Sequence, residues 1–152
     1  MADCLKLHYV VPGDDFGRAG EASSDLKKRL KQLGFPPDIV RKTAISLYEG
    51  EINMVIHAGG GIIDAQIFPD RIELTLTDYG PGIPDVELAM QEGYSTASDE
   101  VRGLGFGAGM GLPNMKDYSD SINIETVLGQ GTTVNLLILT RAMPATQMHC
   151  PR

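Results

Sequence analysis

Leu5, Leu7, Tyr9 and Val11 alternate with mostly polar neighbours, the period of a strand that buries one face. From about Ala19 to Leu33 the period becomes helical: Leu26, Leu30 and Leu33 share a face, and Gly34 supplies a stop. A second, longer helix is predicted from Pro37-Asp38 to about Ala58, ended by Gly59-Gly60-Gly61. Residues 62–68 and 72–78 alternate again and read as two strands joined at Pro69-Asp70. Short helices fit 85–92 and 113–118, and strands at 122–127 and 132–139 flank the turn Leu128-Gly129-Gln130-Gly131. This order, βααββ(α)αββ, predicts an α+β fold: a two-layer α/β sandwich with a mixed β-sheet and helices on one face.

The long helix carries candidate chemistry. Successive helix residues rotate by ~100°, so Glu49, Asn53 and His57 stack on one stripe beside Ile45, Ile52 and Ile56. A carboxylate and an amide oxygen one turn apart suit a hard cation and its water, although such a stripe is more often a solvated face. Glu51 lies about 200° round from Asn53 and should face away. Gly50 sits inside the helix at a cost of ~1 kcal/mol relative to Ala, which points to a close approach against the backbone there.

In Ile72–Asp78 the apolar residues occupy even positions, and Asp78 shares their parity, so its carboxylate points toward the buried side. Buried without a donor it is costly. A backbone donor satisfies it in the plain reading, a ligand amine in the sharper one. Gly80 and Gly82 follow directly and remove side chains where a flat ring could enter. Further on, glycines alternate through Gly103–Gly111 ahead of a helix, an arrangement that lets backbone N–H groups converge on an anion. No Gly-Lys-Ser/Thr follows them, which excludes a P-loop, and residues 95–102 are not the strand that a Rossmann turn requires.

Length and charge narrow the classes. At 152 residues the chain can bury one core, and a single domain is expected over 1–141 with a flexible tail over 142–152. The formal net charge of −7 repels phosphate backbones, so nucleic acid is excluded as a partner class, while a single locally built phosphate site is not. No segment approaches a membrane span and no leader pattern opens the chain, so no membrane partner and a cytoplasmic location are expected. Cys4 and Cys150 do not make a disulfide framework and fit a reducing compartment; His149-Cys150 is read as a solvated tail.

Together, Glu49-Gly-Glu-Ile-Asn53-Met-Val-Ile-His57-Ala, Asp78-Tyr-Gly80-Pro-Gly82, Gly103–Gly111 and Gly129-Gln-Gly131-Thr132-Thr133 resemble the N, G1, G2 and G3 boxes of the GHKL (Bergerat-fold) ATPases. Within that superfamily the chain is most similar to bacterial anti-sigma regulatory serine/threonine kinases, through Asn53–His57, Asp78–Ala89, Gly93-Tyr-Ser-Thr96 and Gly109-Met110-Gly111. The resemblance implies ATP and Mg²⁺ as cofactors, with Asn53 coordinating the metal and Glu49 acting as general base. It further implies that Asp78 accepts from the adenine amino group with help from Thr132 through water, and that Gly80 and Gly82 line the base pocket. Gly105, Gly107, Gly109, Met110 and Gly111 would wrap the phosphates. The implied partners are proteins, an antagonist domain or a sigma factor, and a homodimer is among the states the resemblance allows. The long glycine-rich lid, the position of Arg102, Ala58 and Gly50 depart from the family pattern. An ATP-gated binding switch and an orphan histidine-kinase-type catalytic domain are the alternatives.

Overall fold

In the computed structural model, residues 4–13, 16–91 and 111–140 are described. Strand β1 (Leu5–Pro12) leads through a short 3₁₀ turn (Phe16–Arg18) into helices α1 (Glu21–Gln32) and α2 (Pro37–Ala58). The hairpin β2 (Gly60–Ile67) and β3 (Arg71–Asp78) follows, then the short helices α3 (Val86–Ala89) and α4 (Gly111–Asp117) and the closing hairpin β4 (Ser121–Val127) and β5 (Gly131–Leu139). The glycine-lid candidates Gly105, Gly107, Gly109 and Met110, with Arg102, residues 93–96 and the tail 142–152, lie outside the described residues.

The strands form one sheet in the order β1-β2-β3-β5-β4. Every pairing in it is antiparallel, so the expected mixed sheet is corrected. The reason is the connection between β1 and β2. A single-helix crossover returns a strand parallel, whereas the α1–α2 pair adds one more reversal and returns β2 antiparallel. β3 and β4 run in the same direction but lie on either side of β5 and never pair.

Alternation along the strands sorts the sheet into two faces. Ile63, Ala65, Ile67, Ile72, Leu74, Leu76, Val134, Leu136 and Ile138 point to the helices and are buried. The opposite face is polar: His8 pairs with Asp64 at 2.6 Å, and Thr75 with Asn135 at 3.2 Å. From the helical layer, Leu26 and Leu30 of α1 and Leu47, Met54 and Val55 of α2 close the core. Leu33, expected on the same stripe, is the C-terminal cap residue of α1 and is largely exposed, because the helix ends before the stripe reaches it. Gly59 ends α2 in the left-handed region (φ 69°), its N–H bonded to the Met54 carbonyl, a conformation a Cβ would strain. Cys4, just before β1, is disulfide-bonded, against the thiol expected there.

The glycine inside α2 has a packing cause. A Cβ on Gly50 would come within 2.2 Å of Leu76 Cδ2 and 2.9 Å of Met115 Cε, so the helix backbone itself lies against β3 and α4. Alanine at this site sets a helix-propensity gain of about 1 kcal/mol against a displacement of two core side chains. A branched side chain has no such relief. Gly50→Val is therefore expected to destabilise the fold by about 2 kcal/mol or more, read as a fall in the thermal unfolding midpoint.

Candidate functional site

The stripe on α2 emerges at the edge of the sheet. Ala58, at the C-terminal end of α2, lies where a Cβ on Gly80 would be, with Ala58 Cβ 2.6 Å away. This contact brings the end of the helix onto the loop after β3. His57 lies within electrostatic reach of Asp78, and its burial holds the imidazole below its usual pKa while the Asp78 carboxylate pulls the other way. Asn53, half-buried, sits one turn earlier on the same side of α2, and Glu49 another turn back.

Glu49 is half-buried, and burial pushes its carboxyl above the usual carboxylate range. A hydrogen bond from the Asn114 side chain of α4 opposes that shift. A carboxyl whose charge is disfavoured by its surroundings takes up a proton more readily than a solvated one, which is what a general base requires. Asn114 was not singled out in the sequence. Its position in the middle of a short segment, Gly111–Asp117, carries no periodic signal, and only the docking of α4 against α2 brings it to Glu49.

At the other end of the cleft, Asp78 Oδ1 accepts N–H bonds from Gly80 at 3.0 Å and from Thr132 at 3.2 Å. The plain expectation of backbone donors thus holds for one oxygen. Both bonds fall on that oxygen, and among the described residues none donates to Oδ2. Thr132 is 6% exposed, and its hydroxyl pairs with that of Thr126 at 2.9 Å. Thr126 in turn accepts the Ile83 N–H at 2.8 Å, joining the loop after β3 to the β4–β5 hairpin. Gly82, at φ 83°, leaves no room for a side chain: a Cβ would stand 2.8 Å from the Val127 carbonyl oxygen and 3.1 Å from Leu128 Cα. Thr126 is a second residue that sequence reasoning missed; it shares the inward parity of Ile122 and Ile124 on β4, and a hydroxyl in that apolar row was the available signal.

The structure brings Asp78, Gly80 and Thr132 together at the ends of β3 and β5 and sets the C-terminal end of α2 against them through Ala58 and His57, with Asn53 and Glu49 one and two turns back along that helix. Gly111 is the first residue of α4, whose Asn114 reaches Glu49. Among the described residues no cluster of three or more metal-ligating His, Cys, Asp or Glu side chains occurs, so a cation here would need ligand phosphates and water beside the Asn53 amide. The donor set suits that division. Asp78 has an oxygen to offer a purine amine. The two glycines differ from the expectation of an opening for a flat ring: a Cβ on Gly80 would meet Ala58 and one on Gly82 the Val127 carbonyl and Leu128, so the room they leave is filled by the protein's own packing.

Glu51 faces away from this cleft, as expected, but not toward solvent. It is 2% exposed, and its carboxylate accepts N–H bonds from Gly20, Ala22 and Ser23 at 2.9–3.1 Å. A residue two places along the helix from Glu49 thereby caps α1.

Comparison with known proteins agrees with this fold. The profile described as "Histidine kinase-, DNA gyrase B-, and HSP90-like ATPase" matches residues 39–142. The serine/threonine-protein kinase RsbT of Bacillus subtilis is 31% identical over 111 residues, covering 70% of this chain and 77% of that one. An anti-sigma F factor of Caldanaerobacter subterraneus subsp. tengcongensis is 38% identical over 100 residues, covering 62% of this chain and 65% of the relative. Among solved structures, the RsbU and RsbW domains of a Mycobacterium tuberculosis protein superpose with a TM-score of 0.60 at 15% identity, over 97% of this chain and 35% of that one, a likeness of fold.

The raised carboxyl of Glu49 has a stability consequence whose sign is fixed. A group protonated more readily folded than unfolded stabilises the fold below its unfolded pKa and loses that contribution as pH rises through the folded one. Glu49→Gln removes the burden of the buried charge. The variant is expected to unfold at a higher temperature than the wild type at neutral pH. The difference should shrink toward zero below the usual carboxylate range, as thermal scans across pH would show.

Proposed function

The chain belongs to the histidine kinase-, DNA gyrase B- and HSP90-like ATPase family, and from that premise we propose that it is a serine/threonine protein kinase of the anti-sigma regulatory type. The observation that carries the proposal is the placement of a half-buried, proton-avid Glu49 one helical turn from Asn53, on the helix whose C-terminal end meets Asp78 through His57. The similarity to a serine/threonine-protein kinase and to anti-sigma F factors supports the same reading.

In this reading Asp78 Oδ2 accepts from the adenine amino group while Oδ1 stays fixed by Gly80 and Thr132. Thr132 assists through water, and Gly80 and Gly82, packed against Ala58 and the β4–β5 hairpin, set the course of the loop beside the base. The carboxamide of Asn53 would hold Mg²⁺, which would supply positive charge against the phosphates. Glu49 accepts the proton of an acceptor hydroxyl as that oxygen attacks the terminal phosphorus, and the bond to the bridging oxygen breaks in line with the attack. Asn114 orients the Glu49 carboxylate toward that hydroxyl. His57, kept neutral by burial, adds no cationic charge at the base end of the cleft. Gly105, Gly107, Gly109, Met110 and Gly111 are assigned to the phosphates on the glycine pattern of the lid. Phosphoryl transfer asks chiefly for positioning and charge neutralisation, and this inventory supplies both.

The acceptor is a protein, with a small antagonist domain as substrate and a sigma factor as a second partner. The net charge of −7 is set against a nucleic acid. None of the described helices is long and apolar enough to cross a membrane, and the proposed site of action is the cytoplasm.

Incubation with γ-labelled ATP, Mg²⁺ and purified antagonist domains is expected to yield acid-stable phosphoserine or phosphothreonine; a product that is only acid-labile phosphohistidine rejects the proposal. Glu49→Gln should lower the transfer rate by a factor of about 10²–10⁴ while ATP still binds. Asn53→Ala should abolish the magnesium-dependent part of the thermal shift produced by ATP.

A further inference from the structure

The N-terminus of α1 has no cap from its own sequence. Gly20 stands at the N-cap position and offers no side chain, so the first N–H groups of the helix need an acceptor from elsewhere. Glu51 of α2 provides it. Oε2 accepts from Gly20 at 2.9 Å and Ala22 at 3.1 Å, and Oε1 accepts from Ser23 at 3.1 Å. A carboxylate held by three N–H groups at a helix N-terminus is a charge-assisted tie, favoured by the positive end of the helix dipole. Nothing in the nucleotide cleft uses it.

The tie matters because of what lies beside it. Between α1 and α2 runs a groove of about 570 Å³, lined on the α1 side by Gly20, Ser23 and Ser24 and on the α2 side by Ile45, Tyr48 and Glu49. Two of the three residues that Glu51 binds are thus wall residues of the groove that Glu49 also lines. An acceptor hydroxyl that gives its proton to Glu49 comes from a protein segment. That segment has to be seated beside Glu49, and this groove is a walled approach to it among the described residues.

We propose that Glu51 is a positioning residue for the acceptor: by capping α1 from the same helix that carries Glu49, it fixes the distance between the α1 wall and the general base. The inference rests on the kinase reading above and adds a residue to it that touches neither nucleotide nor acceptor. Glu51 reports on the acceptor side alone. The nucleotide side is built from Asn53, Asp78 and the glycines, on the other side of α2.

Glu51→Gln tests this in the full chain. The amide keeps one acceptor oxygen but turns an NH₂ toward a backbone N–H, so the end of α1 loosens. The middle of α1 stays anchored by a separate tie, in which the Tyr9 hydroxyl and Arg29 Nε both donate to Asp25 Oδ2 at 2.7 and 2.9 Å. Tyr9→Phe, which weakens that second tie away from the groove, is the control for general destabilisation.

The acceptor used is the antagonist domain that the wild type phosphorylates in the experiment above. The expected result for Glu51→Gln is a fall in kcat/KM for the acceptor of about ten- to a hundredfold, with the Kd for Mg-ATP unchanged. Faster amide hydrogen exchange at Gly20, Ala22 and Ser23 should accompany it. Tyr9→Phe should lower the melting temperature without moving kcat/KM for the acceptor. Equal loss of acceptor turnover in both variants, or transfer by Glu51→Gln at the wild-type rate, overturns the inference and leaves the kinase reading standing. Failure of the wild type to phosphorylate any antagonist domain overturns the kinase reading and this inference with it.

Discussion

The site exists because α2 lies unusually close to the sheet. Gly50 presents backbone to Leu76 and Met115, and Ala58 fills the space where Gly80 lacks a Cβ. With larger residues at these points the helix would ride higher, and the stripe of Glu49, Asn53 and His57 would pass above the strand ends instead of beside them. Close approach also accounts for the shifted carboxyl of Glu49 and the depressed imidazole of His57, since both shifts arise first from burial.

A second consequence of that proximity is that α2 has no plainly solvated side over much of its length. One side packs its apolar residues on the sheet, one presents the cleft residues, and a third sends Glu51 under the start of α1. A helix committed in three directions rotates or slides only by breaking contacts in all of them. The side chains that must keep their spacing for chemistry are therefore carried on the most constrained element of the fold.

Most of the architecture could be read from periodicity. The alternation at Leu5–Val11 and Ile72–Asp78, the helical spacing of Leu26 and Leu30, and the glycine stops at Gly34 and Gly59 place elements within a residue or two of their observed bounds. Sheet direction was not read correctly, because it depends on which strands become neighbours, and the pairing of β3 with β5 is encoded by no local pattern. The cleft residues on α2 and β3 were legible because helical and strand periods predict a shared face. Glu51, Asn114 and Thr126 were not: each acts through a partner distant in sequence, and a charged residue two places from a candidate base looks the same whether it is solvated or capping a neighbour. The glycine inside α2 was recognisable as a close approach, but what approaches is set by β3 and α4.

The stitching at the strand-end side of the cleft has a mechanical meaning. The Gly129 N–H reaches the Pro81 carbonyl at 2.9 Å, Ile83 is bonded to Thr126, and Gly131 lies where a Cβ would strike the Asp78 carbonyl oxygen. Two loops from opposite hairpins are thereby riveted into one block around Asp78. A jaw built this way does not open. Any motion that admits or releases a ligand has to be taken up at the opposite end of the cleft, which makes this corner the fixed anvil against which the rest of the domain works.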